Sequence, residues 1–151
     1  MSLKEAKVLP KTLQIQLSGS SMQPMACNND HLDIQVFKTP RDLHSFEVGQ
    51  TVLIRPDQEW VVHRIVLREG SKFTKGDWSL CFDKKTQVWG TVKAINGRPS
   101  DLLMDPFIGK LSAKITDTCS PLKRKFLKLK LGVYVYFKRL SYGALRAENK
   151  K

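Results

Sequence analysis

The sequence predicts a mainly β domain, and three observations carry that expectation. Short segments rich in Val, Ile, Leu and aromatic residues alternate apolar with polar positions, the period-two pattern of a half-buried strand. Turn-forming residues divide these segments at spacings of roughly 8–12 residues, as in sandwiches and small barrels. The chain has 151 residues, which fits one domain at roughly 100–200 residues each and suffices for a core without disulfides.

In chain order, residues 13–17 alternate and end at Ser18-Gly19-Ser20-Ser21, and residues 32–36 alternate before a polar connection over 38–45. Residues 51–55 and 60–68 flank a turn at Pro56-Asp57-Gln58, the pattern of a hairpin. Residues 78–82 and 88–95 read as further strands, and Asn96-Gly97 gives another turn. Residues 98–121 are irregular, broken by Pro99, Pro106, Gly109 and Pro121. Beyond them Leu127, Leu129, Leu131, Val133, Val135 and Phe137 recur at strict period two, which predicts a packed strand, followed by either a short helix over 140–148 or a tail.

Charge divides the chain in the same place. The formal net charge is +12, from 26 Lys and Arg against 14 Asp and Glu. Residues 122–151 hold ten bases and one acid, so a basic, aromatic C-terminal segment is expected to follow a β domain over 1–121. Such a segment suits a phosphate-bearing partner, and an anionic membrane surface is expected ahead of nucleic acid. The longest apolar stretches are only a few residues, against about 20 for a membrane-spanning helix. With no secretory leader legible at Met1–Lys7, the expected location is the cytoplasm, or peripheral at the inner membrane face. Cys27, Cys81 and Cys119 are an odd number at wide spacings, which excludes a C-x-x-C zinc or redox motif and predicts reduced structural thiols. No metal or cofactor is expected.

Nucleophilic catalysis needs a hydroxyl or thiol, a base for its proton and a group to orient the base. Ser20-Ser21 after Gly19, at a strand mouth, offers a hydroxyl whose amide is free to donate to an oxyanion. His63, on a strand face with Val61 and Ile65, offers a base, although a histidine so placed is more often a satisfied core residue. Asp77 and Asp83 flank residues 78–82, and an acid beside Gly76 also suits an ordinary turn.

The order of these elements resembles a family. Gly19-x-Ser21-Met22-x-Pro24, Val62-His63-Arg64-Ile65-Val66, Thr74-Lys75-Gly76-Asp77 with Asp83 six residues on, and Val88-Trp89-Gly90-Thr91-Val92 look like the type I signal peptidases. The likeness runs from about residue 13 to residue 95. A histidine at the base position is similar to the Ser-His branch of archaea and the endoplasmic reticulum, not to the lysine-dependent bacterial leader peptidases. The resemblance implies a small β-barrel of the signal-peptidase and LexA-like kind with irregular connections, and a serine endopeptidase acting on a leader or signal-like peptide. It implies Ser21 as nucleophile, His63 as general base and Asp83 as the acid orienting the imidazole. Asp77 and Gly19 would support the site, and Met22, Pro24 and Met25 would meet the substrate. Three departures stand against the family pattern: Gln50 follows Gly49 where an acid is usual, Ser20 replaces a glycine, and no membrane anchor is legible. The alternatives are a LexA-type self-cleaving protein and a catalytically inactive binding module on the same fold.

Overall fold

The computed structural model describes residues 11–83 and 87–148, with side chains described to residue 141. Seven strands form one antiparallel sheet. They are β1 (Thr12–Gln16), β2 (His31–Arg41), β3 (Thr51–Ile54), β4 (Val61–Arg68), β5 (Ser71–Lys75), β6 (Val88–Ile95) and β7 (Arg98–Pro99). Two helices follow, α1 (Pro106–Asp117) and α2 (Pro121–Glu148). The expectation of a mainly β domain holds, but the sheet is not a closed barrel. Its order is β1-β2-β6-β3-β4-β5, with β7 beside β6, so β1 and β5 are edges. Closure is replaced by cover, because the main buried cluster joins sheet residues such as Leu32, Ile34, Leu53 and Val62 to Ile108 and Ile115 of α1 and Leu131 and Val135 of α2. A smaller cluster, including Leu43, Phe46, Val52, Ile65 and Val88, occupies the other face.

The central hairpin follows its sequence signals. β3 and β4 pair from Thr51↔Arg64 to Ile54↔Val61, across a 3-10 turn at Pro56–Gln58. β4 and β5 pair from Arg64↔Lys75 to Arg68↔Ser71. A strand over 78–82 is not formed; that stretch is turn and loop, and the strand partner of β4 lies earlier, at β5. Lys72 and Lys75 interrupt the apolar pattern of β5 and mask it, yet both find partners. Lys72 Nζ donates to the carbonyls of His44 and Phe46 at 3.0 and 2.5 Å, and Lys75 Nζ donates to the Gly76 carbonyl and to Ser112 Oγ at 2.8 and 2.7 Å.

The C-terminal third differs most from the expectation. Residues 106–117, read as irregular, form α1, and the predicted strand over 127–137 is part of the 28-residue α2. Both helices start on the same chemistry, a polar cap followed by proline, whose fixed φ and missing N–H suit the first turn. Asp105 Oδ1 accepts from the amides of Phe107 and Ile108 at 2.8 and 3.3 Å. The Ser120 carbonyl accepts from Arg124 N at 3.0 Å and its hydroxyl from Lys123 N at 3.4 Å. In α2 the period-two residues divide between opposite sides of the helix. Leu131 and Val135 are buried, with Leu127 and Tyr134 packed beside them, while Leu129, Val133 and Phe137 are exposed.

Candidate active site

Three segments come together where β4 begins and β5 ends. The loop after β1 carries Gly19, with φ +100°, and half-buried Ser21. Gly19 N donates to Asn28 Oδ1 at 3.1 Å, so that amide is committed to the loop. The amide of Ser21 makes no hydrogen bond among the described residues, leaving it as the donor an oxyanion would meet. Met22 and Met25, expected to touch substrate, are instead wholly buried in the main core. They anchor the loop, and Met25 also borders a cleft of about 580 Å³ shared with Cys27, Asn96 and Arg139. Pro24 contributes its backbone: Arg139 of α2 donates from Nη2 to the Pro24 and Met25 carbonyls at 3.2 and 2.6 Å.

The loop is seated against the turn after β5. Trp78 N donates to the Ser21 carbonyl at 2.9 Å. A Cβ on Gly76 would stand 2.6 Å from Ser21 Cβ and 2.7 Å from its carbonyl oxygen, so only glycine admits the loop here. Gly76 is also the next residue past the Arg64↔Lys75 pair, one step along the register from His63. Ser21 is thus a neighbour of Gly76, while Lys75, just before Gly76, pairs with Arg64, just after His63.

On β4, His63 is largely buried, and its Nδ1 lies 2.6 Å from Asp83 Oδ2. With the carboxylate accepting from Nδ1–H, the imidazole presents Nε2 as its basic nitrogen. Asp83 is itself placed by its amide, which donates to the Thr74 carbonyl at 2.8 Å. No hydrogen bond joins Ser21 Oγ to His63 among the described residues. Asp83 also borders a cleft of about 800 Å³, shared with Thr74, Lys72, Arg55 and Trp89.

Asp77 is not beside His63 but beneath the turn, fully buried and bound by Arg64 through Nε at 2.8 Å and Nη2 at 3.1 Å. Arg64 Nη1 donates to the Gly49 carbonyl at 2.6 Å, and Ser112 Oγ to the Asp77 carbonyl at 3.2 Å. Burial draws the Lys75 ammonium down from 10.5 to about 8, against the opposing pull of Asp77 and Asp83. Arg64, Lys75, Gly76 and Ser112 thus form a fixed polar floor under the Ser21 loop, and the reading of the sequence assigned none of them a role. One signal was present: a charged residue inside the apolar run of β4 has to be paired to be buried. Ser112 carried no signal, because its helix was not recognised.

Cys27, Cys81 and Cys119 are free and exposed, so none is a core thiol. Among the described residues no three His, Cys, Asp or Glu side chains converge as metal ligands, and no helix is long and apolar enough to cross a membrane. Comparisons with protein-family models, with curated proteins and with solved structures give no match.

Proposed function

We propose that this chain is a serine endopeptidase resembling the Ser-His branch of the type I signal peptidases, acting on a leader or signal-like peptide. The observation that carries the reading is the 2.6 Å contact between His63 Nδ1 and Asp83 Oδ2; the neighbouring Arg64 pairs with Lys75, which adjoins the glycine against which Ser21 is seated.

In the proposed reaction, His63 Nε2 accepts the Ser21 hydroxyl proton as Oγ attacks the scissile carbonyl. Asp83 holds the reactive tautomer and stabilises the imidazolium. The Ser21 amide donates to the developing oxyanion. The imidazolium returns its proton to the leaving amine, giving an ester at Ser21. His63 then takes a proton from a water, which attacks the ester; as the C–O bond to Ser21 breaks, the imidazolium returns that proton to Ser21 Oγ, releasing the second product as a carboxylic acid.

The test is cleavage of a panel of signal-like and leader-like peptides by the purified chain. Cutting after small residues is expected, with activity lost in Ser21→Ala. Undiminished cleavage by that variant would remove the assignment.

A further inference from the structure

Helix α2 has two apolar faces, and only one is used. Leu131 and Val135 are packed into the core. At about 100° per residue, Leu122, Phe126, Leu129, Val133, Phe137 and Leu140 fall within a sector about 100° wide on the opposite side. That sector is bare: Phe126 is 66% exposed, Leu129 64% and Phe137 61%. A continuous apolar stripe of five turns exceeds the single exposed side chains normal on a protein surface.

The charges around the stripe indicate what covers it. Residues 121–141 contain seven Lys and Arg and no acid. Four of these cations are engaged on the protein side: Arg124 with the Thr118 carbonyl, Lys128 over the Trp78 ring, Lys138 with Asp105 and Arg139 with the Pro24 and Met25 carbonyls. Lys123, Lys125 and Lys130 make no such contact among the described residues. On the same angular scale Lys123 and Lys130 border the stripe on one side and Lys125 on the other. Apolar side chains along the crest, with ammonium groups at both margins and no acid, are complementary to acyl chains beneath a layer of anionic headgroups. A helical protein partner matched to this face would need its own apolar stripe lined with acids, and the described residues of this chain offer no such second helix.

We propose that the outward face of α2 binds in the plane of an anionic bilayer, with the Phe126–Leu129–Val133–Phe137 stripe inserted at the headgroup boundary and Lys123, Lys125 and Lys130 on lipid phosphates. The helix lies along the surface and does not span the membrane, and the sheet is carried behind it. Because Arg139 of the same helix holds the Pro24 and Met25 carbonyls, the Ser21 loop is tied to the membrane-bound element.

Flotation of the full chain with vesicles tests this without reference to catalysis. Binding is expected to vesicles of equal parts phosphatidylglycerol and phosphatidylcholine, not to phosphatidylcholine alone, and to weaken between ~0.15 M and ~1 M salt. The Phe126→Glu/Phe137→Glu variant, altered only at exposed positions and checked for folding by circular dichroism, should no longer float. Each Lys→Gln change at 123, 125 or 130 should weaken binding about fivefold. No flotation with anionic vesicles, or flotation unchanged in the Phe126→Glu/Phe137→Glu variant, would overturn the proposal. So would a dimer in analytical ultracentrifugation that the same variant dissolves, since the face would then be an interface between two copies of the chain.

Discussion

His63 meets Asp83 through Nδ1, and Asp83→Asn separates that contact from the rest of the fold. In the proposed peptidase reaction an amide in place of the carboxylate cannot stabilise an imidazolium and favours the wrong tautomer, so kcat should fall by on the order of 10⁴ with the melting profile retained. A loss below tenfold would show that Asp83 does not orient the base. Lys75 gives a pH signature of a different kind. Its folded pKa is about 8 against 10.5 for the unconstrained group. Between those values the unfolded chain binds more protons, and stability contributed at this site therefore rises with pH. Below pH 8 the folded protein carries a buried charge at a cost. Relative to Lys75→Met, which cancels the other titrations, the wild type should gain up to about 3 kcal/mol between pH ~7 and ~11 in denaturant melts. A constant difference over that range would mean that Lys75 keeps its proton in the fold. Ser21, His63 and Asp83 stood out as candidates in the sequence because each is the chemical type that the proposed reaction needs. Arg64 and Lys75 were not assigned because their work is done by burial, which one sequence does not display.

At the scale of elements, α2 separates the two ways of reading its sequence. In a strand over 127–137, Leu129 and Leu131 would share a face and truncation of either would be costly. In the helix they point apart, Leu131 at 0% exposure and Leu129 at 64%. Leu131→Ala should cost about 2–5 kcal/mol and Leu129→Ala less than about 0.5 kcal/mol in urea denaturation; equal costs would favour the strand. The period-two pattern arises because two apolar stripes occupy opposite sides of one helix with lysines between them. Strands with turn residues at their ends, β1, β3, β4 and β6, were readable from local pattern. Asp105-Pro106 and Ser120-Pro121 are helix-start signals as well as breakers, and in both places the proline opens the next helix. β5 was missed because its lysines are satisfied by partners 26, 28 and 37 residues away, beyond the reach of any local window.

For the whole molecule, one strand and two of the loops between strands supply the candidate residues, and the helices fix the surface around them. Ser21, His63 and Asp83 all precede α1, whereas Ser112 and Arg139, which brace the turn and the loop, follow its start. The mainly β class was legible from the strand count, but barrel closure was not, because closure depends on whether β1 meets β5, and here the helices cover the core instead. The alternation that disguised α2 has a consequence for folding. Leu131 to Phe137 is a seven-residue run without charge and rich in β-branched and aromatic side chains, the composition that stacks into cross-β assemblies when it is exposed before docking. Lys128 and Lys130 ahead of the run and Lys138 and Arg139 behind it act as gatekeepers against that outcome. Neutralising them would therefore endanger the newly made chain as well as the finished surface.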